Sequence, residues 1–215
     1  MTRFEIEKRF TDRIEITGRA ATVCRMFGLT ADRLKTGGIV HKCSLQIQAG
    51  DIVYITGPSG AGKSVLLTEM QKQTAPYESI NLSDIELPDD RAVVDCIGSN
   101  CISALRLLSC AGLNDVFCVL NRPAYLSEGQ KWRFRLAAAL DKNPQYIFAD
   151  EFCSNLDRIT ASVISYNIRK FADRQKTCFI LASSHDDILM DLQPDIIVDK
   201  ELTGETRLIY KTIQQ

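Results

Sequence analysis

A chain of 215 residues, 45% hydrophobic and 25% charged, has the size and composition of one large domain or two small ones and can bury a core without metal or disulfide staples. Its formal net charge of -1 excludes a global electrostatic pull toward nucleic acid or a membrane surface, leaving only a local basic patch open. No stretch approaches the roughly 18 apolar residues of a bilayer span, and the charged start Met1-Thr2-Arg3-Phe4-Glu5-Ile6-Glu7-Lys8 lacks a signal-peptide core, so the expectation is a soluble, cytoplasmic chain.

The first forty residues read as a strand and helix extension to a single domain spanning 1–215. Arg13-Ile14-Glu15-Ile16-Thr17 alternates like a half-buried strand. Residues 20–27 look helical and stop near Gly28, and Thr36-Gly37-Gly38 signals a loop. An alternating strand follows at 44–48, then a turn at Ala49-Gly50-Asp51. Ile52-Val53-Tyr54-Ile55-Thr56 is β-branched and nearly continuous, as a buried parallel strand is. It runs into a Gly-rich loop and the apolar helix Ser64-Val65-Leu66-Leu67-Thr68-Glu69-Met70.

Residues 146–149, 178–182 and 195–198 are three more apolar runs, separated by helical stretches at 158–174 and 186–192. Alternating strand and helix predicts a parallel α/β sheet. Residues 92–144 break the alternation and read as a mostly helical subdomain, inserted at about 90–144. The chain has eight cysteines, four of them crowded into 96–118 (Cys96, Cys101, Cys110, Cys118). Their spacing fits no zinc or iron–sulfur pattern, so they read as plain buried thiols.

Gly57-Pro58-Ser59-Gly60-Ala61-Gly62-Lys63-Ser64 fits G-x-x-x-x-G-K-[ST], between a strand and a helix. Such a loop turns backbone N–H groups around phosphate oxygens. Lys63 then reaches the β- and γ-phosphates and the Ser64 hydroxyl ligates Mg²⁺, at the positive end of the following helix. The competing reading is an ordinary Gly-rich turn. The run 146–149 ends in Asp150 and Glu151. In a P-loop enzyme an acid there binds Mg²⁺, and the next acid can polarise the attacking water. The alternative is a helix N-cap at Asp150.

Leu126-Ser127-Glu128-Gly129-Gln130 resembles the signature of the ABC ATPase superfamily and stands between the P-loop and the acidic strand, as in that family. Ser154-Asn155-Leu156-Asp157 resembles its D-loop, and His185 stands where its switch histidine stands. The resemblance covers roughly residues 40–200 and implies ATP hydrolysis with Mg²⁺ in an ATP-dependent homodimer. By that resemblance Glu151 and His185 are catalytic, and residues 57–64 hold ATP. Asp150 and Ser64 hold the metal, Asp157 lies in the D-loop, and Ser127, Gly129 and Gln130 meet the ATP of the partner subunit. Ser127 and Gln130 also read as a plain capping box, and His185 as a packed or capping histidine.

Three features depart from the transporter branch. Residues 80–90 carry no Gln where transporter ATPases have one, with Asp84 and Glu86 the nearest substitutes. The helical insertion is short. The adenine-stacking aromatic is not evident, Phe27 being the nearest candidate. These departures favour a soluble, nucleotide-switched dimer acting on an unidentified protein or nucleic acid over the ATP-binding subunit of a transporter, which makes a membrane permease the weaker candidate for partner. The third reading, a weakly hydrolysing nucleotide-binding interaction module, is disfavoured by the intact Asp150-Glu151 pair. Asp150-Glu151-Phe152 and Leu156-Asp157-Arg158 resemble soluble bacterial and phage ATPases, some of them fused to an acetyltransferase-like domain. Lys131, Arg133 and Arg135, interleaved with Trp132 and Phe134, read either as a solvated helix face with packed aromatics or as a nucleic-acid contact.

Overall fold

A computed structural model describes residues 1–9, 17–28 and 40–211. The strand expected at 13–17 lies outside these except for Thr17, and the loop expected at 36–38 lies outside them altogether.

Strand β3 (Ile52–Thr56) organises the molecule. Its first four residues are wholly buried because both faces are covered. Ile52 and Tyr54 face one hydrophobic core, Val53 and Ile55 the other. This is why the run lacks polar alternation. The sheet has the order β4-β5-β6-β3-β7-β8, with β4 (Ser79–Asn81), β5 (Tyr146–Ala149), β6 (Cys178–Ala182), β7 (Ile196–Lys200) and β8 (Thr206–Tyr210). Every pairing is parallel except β7 with β8. The register sets Ile55 beside Ala182 and Val198, so β3, β5 and β6 open their C-terminal ends on one rim.

A second sheet pairs β1 (Thr2–Arg9) antiparallel with β2 (Val40–Ile47). On β2 the inward row is His41, Cys43, Leu45 and Ile47, alternating with outward residues. Phe4 and Ile6 enter the same core as Leu66, Leu67 and Met70 of α2 (Lys63–Gln71). The opening residues are thus built into the fold. Their period-two signal, two apolar residues among charges, is short enough to miss. Strand β2 also runs four residues earlier than the stretch at 44–48 suggests. Helix α1 (Gly18–Met26), capped by the Thr17 hydroxyl, buries no residue.

The stretch that breaks the alternation holds a 3₁₀ turn (Val93–Asp95), α3 (Cys101–Cys110), α4 (Val116–Leu120), a second 3₁₀ turn (Pro123–Tyr125) and α5 (Glu128–Lys142). Its buried residues, among them Ala104, Leu108 and Phe134, share one core with Ile52, Tyr54 and Ile147, so the helices pack onto the sheet. Helix α6 (Arg158–Gln175) covers the same face. The helix expected at 186–192 is only Leu189–Leu192 (α7). Asp186, at its expected start, instead accepts a hydrogen bond from Thr56 Oγ1 at 2.7 Å, which holds the chain in a loop.

Candidate functional site

At the rim, β3 passes into residues 57–62 and then α2. Gly57, Gly60 and Gly62 have φ of 133°, 83° and 88°, a left-handed region that favours glycine. A Cβ on Gly57 would stand closer than 3.0 Å to the Lys200 carbonyl oxygen, and one on Gly62 closer than 3.0 Å to the His41 ring. Helix α2 starts without a side-chain cap, so no side chain competes for its first-turn N–H groups. The Lys63 ammonium donates to the carbonyls of Gly57 (2.7 Å) and Pro58 (3.0 Å) across the mouth of the loop.

A groove of about 490 Å³ opens over this loop. Ser59, Gly60, Gly62, Lys63 and Ser64 form one wall. Asp150, Glu151, Ser154 and Asn155, beyond β5, form the other, and Ser183 and Ser184, beyond β6, close the end. The turn after β5 is over-determined. Glu151 and Cys153 have positive φ, 49° and 57°, uncommon for residues with a Cβ. The Phe152 N–H donates to Ala182 O at 2.8 Å, and Ser154 donates its N–H and hydroxyl to Glu151 O. Phe152 is wholly buried and meets Trp132 edge-on, centroids 5.7 Å apart. Both carboxylates are exposed, and Asp150 Oδ1 accepts the Glu151 N–H at 3.0 Å.

The Ser64 hydroxyl and the Asp150 carboxylate line one groove, a hard-oxygen donor set that fits Mg²⁺, an ion bound by one or two carboxylates plus substrate phosphates. Among the described residues no three His, Cys, Asp or Glu gather as a metal site, the cysteines at 96–118 included. The reading of these as plain buried thiols needs correcting for three of them. Cys118 is buried, but Cys96 and Cys110 are half-buried and Cys101 is exposed.

The signature residues stand elsewhere. Ser127 Oγ accepts the Gln130 N–H (3.4 Å), and Gln130 Oε1 accepts the Ser127 N–H (3.0 Å), closing a capping box at the start of α5. Gln130 also reaches Cys118 Sγ at 2.7 Å. None of Ser127, Gly129 and Gln130 lines the groove of its own chain. A Cβ on Gly129 would stand 3.3 Å from Asn155 O, so α5 starts hard against the 154–157 turn. In that turn Asp157 caps α6, accepting from the Thr160 N–H (2.9 Å) and hydroxyl (2.6 Å). The two bonds hold its pKa below the ordinary carboxylate value.

His185 is exposed and lines a neighbouring hollow of about 230 Å³ with Cys153, Leu156, Arg158 and Asp187. Its carbonyl accepts from the buried Tyr54 hydroxyl, whose pKa burial pushes up to about 12. Of the candidates for the missing Gln, Asp84 takes bonds from Ser83 Oγ (3.3 Å) and Gln71 Nε2 (3.5 Å), and neither it nor Glu86 lines the groove. Phe27 is exposed and lies outside the groove lining.

The basic run after the signature is tied to protein. Lys131 pairs with Glu128 at 2.8 Å. Arg133 donates to Gly112 O (2.9 Å) and Gly129 O (3.2 Å), and Arg135 to Ile85 O (3.3 Å). Phe134 is buried. These ties favour the reading as a helix face with packed aromatics over a nucleic-acid contact. Sequence reasoning missed Ser183 and Ser184 in the groove and His41 and Lys200 behind it. The serines belong to no motif, and His41 shows only as a polar residue on the inward row of β2.

The sequence profile of the ABC transporter family matches residues 40–100. The lipoprotein-releasing system ATP-binding protein LolD of Protochlamydia amoebophila is 31% identical over 189 residues, 72% of this chain and 82% of that protein. The aliphatic sulfonates import ATP-binding protein SsuB 1 of Paracoccus denitrificans is 27% identical over 177 residues, 74% of this chain and 72% of that one. A dimeric, post-hydrolysis structure of the ATP-binding cassette MJ0796, bound to ADP and Pi, shares the fold with a TM-score of 0.64 at 20% identity, over 82% of this chain and 94% of that one. These names run against the expectation that a membrane permease is the weaker candidate for partner.

Proposed function

The chain belongs to the ABC ATPase family, and from that premise we propose that it is the ATP-hydrolysing subunit of a transport system, working as a nucleotide-bridged pair of copies on a membrane-embedded partner chain. One observation carries the shared site: Ser127 and Gly129 sit at a helix start outside their own chain's groove, whereas Lys63, Ser64, Asp150 and Glu151 line it. A second copy stacked head to tail would bring the first set to the ATP held by the second.

In this reading the N–H groups of the 57–64 loop and the Lys63 ammonium bind the β- and γ-phosphates. Lys63 would exchange its bonds with Gly57 O and Pro58 O for phosphate oxygens. Ser64 and Asp150 would hold Mg²⁺, which would supply positive charge against the charge that develops during phosphoryl transfer. Glu151 orients and polarises the attacking water. Ser127 and Gly129 meet the γ-phosphate across the interface, and Asp157 sits at the same seam. His185 reaches that phosphate only if the exposed stretch 184–187 turns toward the groove on ATP binding.

A membrane partner is supported by the names of the relatives and by the surface of the helical region. There Ile102, Val116, Phe117, Leu120 and Tyr125 are each at least 59% exposed, and such apolar surface commonly marks a docking face. No helix among the described residues is itself long and apolar enough to cross a membrane, so the span would belong to the other chain. The soluble, switch-like reading keeps one observation in its favour: residues 80–90 hold no Gln, and Asp84 is engaged by Gln71 and Ser83.

The test is affinity purification of the full chain carrying Glu151→Gln from native membranes and from the soluble fraction, with ATP present. The transport reading expects co-purification of a polytopic membrane protein, lost with Phe117→Asp. Recovery only from the soluble fraction, with another protein or nucleic acid, overturns it in favour of the switch.

A further inference from the structure

We propose that His41 is a positioning residue for the phosphate cradle, its imidazole wedged behind Gly62 so that the loop stays in the left-handed turn that presents the N–H groups of Lys63 and Ser64. This rests on the reading of the groove as an ATP site. A Cβ built on Gly62 would meet the Cε1 side of the His41 ring, with Nδ1 at 2.8 Å, Nε2 at 3.0 Å and Cε1 nearer still. The ring therefore occupies the space a side chain at position 62 would need, and Gly62 is the residue that caps α2 with φ of 88°. His41 is 5% exposed and sits on a row otherwise made of Cys43, Leu45 and Ile47. An aliphatic residue would satisfy that row, so the flat ring answers to the loop above it more than to the strand.

The wedge has a firm base. His41 pairs with Lys8 across the small sheet, and Lys8 reaches Glu69 of α2 at 3.2 Å. Gln73, just past α2, exchanges two hydrogen bonds with the Glu5 backbone, at 2.7 and 3.2 Å. The small sheet is thus moored to the helix whose start it supports. At the other end of the loop Gly57 rests on the Lys200 carbonyl, so the cradle is seated on β2 at one end and β7 at the other. The Lys200 ammonium is wholly buried, satisfied by Gly204 O and Thr206 Oγ1 at 3.0 Å each. Burial first, and that ammonium second, push the His41 pKa below its ordinary value. A neutral ring acts by shape and adds no charge beneath the phosphates.

The test titrates a fluorescent ATP analogue with Mg²⁺ against wild type, His41→Leu, His41→Gln, Gly62→Ala and the pair His41→Ala/Gly62→Ala, with circular dichroism on each. Leucine suits the inward row of β2 and keeps the fold. His41→Leu should nonetheless bind about tenfold more weakly, as a small misplacement of a binding loop does. Its kcat at saturating ATP should fall less than its KM rises. His41→Gln, planar and of similar reach, should recover most of the affinity. Gly62→Ala should lose binding, and removing the ring in the pair should restore part of it. A His41→Leu chain with wild-type affinity overturns the inference while leaving the ATP reading intact. A wild-type chain that does not bind ATP–Mg²⁺ overturns both.

Discussion

The start of α2 and the start of α5 are both helix N-termini that the proposed function assigns to phosphate, and they are prepared in opposite ways. At α2 the cap is Gly62, no side chain takes the first N–H groups, and the loop is held from behind by His41 and by the Lys200 backbone. At α5 the helix caps itself, Ser127 and Gln130 each bonding the other's backbone. An uncapped terminus keeps its donors for a ligand and needs outside support to hold its shape. A self-capped terminus needs no support, but its hydroxyl and N3 donor already have partners, so an incoming phosphate must compete for them. The first region is thus ready to bind ATP alone. In the proposed pair, the second would add to a site that another chain has already filled.

The comparison breaks first at Lys63. Removing this ammonium from the uncapped terminus deletes charge-assisted hydrogen bonds to phosphate, a loss of at least about 3 kcal/mol or more than a hundredfold in affinity. Lys63→Ala should keep its circular dichroism spectrum, since the ammonium bonds only its own loop among the described residues. Isothermal titration with ATP–Mg²⁺ reads the effect, and unchanged affinity would sink the assignment of the groove.

Next in size is Glu151→Gln, which keeps shape and hydrogen bonding but loses the charge that polarises water. Turnover should fall about 10², with ATP affinity retained. Because ATP is then held without hydrolysis, light scattering should show dimers with ATP and monomers with ADP. A variant that stays monomeric at saturating ATP and tens of micromolar protein contradicts the shared site.

The same contrast explains what was legible in the sequence. That the P-loop and the acidic strand end share one groove was legible because a single chain supplies their geometry: buried runs at 52–56 and 146–149 deliver both to one rim. The α/β class followed from those runs. The capping box at Ser127 was legible for the same reason, since i to i+3 spacing is local. The distance of Ser127 from the groove was not, because it depends on how α5 packs onto the sheet. His185 read as a switch residue from its position after β6, and the structure places it in the lining of a hollow shared with Arg158 and Asp187, beside the groove. No one-dimensional pattern encodes which wall of a loop a side chain lines. Strand β1 was hidden among charges, and the support role of His41 needs the approach of β2 to Gly62, which brings residues 41 and 62 together through the tertiary fold.

A gentler break is Ser127→Ala. The cap hydroxyl contributes about 1 kcal/mol to helix stability, so the thermal midpoint should drop by a few degrees, while ATP affinity of the monomer stays at the wild-type value. Hydrolysis should fall by more than stability does if the hydroxyl also meets the partner's phosphate. Full activity in a folded Ser127→Ala chain would leave the α5 start with a capping role only.

The smallest effect tests the support behind the uncapped terminus through pH. Burial and the Lys200 ammonium lower the His41 pKa from 6.5 in the folded chain, with the neighbouring Cys43 thiol, itself pushed up to about 11 by burial, contributing no charge. Unfolded, the imidazole titrates at its ordinary value. Below about pH 6.5 the unfolded state therefore binds a proton that the folded state resists, and stability falls as pH drops toward the folded value. The stabilising contribution is complete above pH 6.5, and the slope cannot exceed about 1.4 kcal/mol per pH unit for one group. Urea unfolding between about pH 7 and pH 5.5, above the range where carboxylates titrate, should show this slope in wild type and a flatter one in His41→Leu. Equal slopes would mean that the ring takes up a proton in place, and that the cradle tolerates a charge directly behind Gly62.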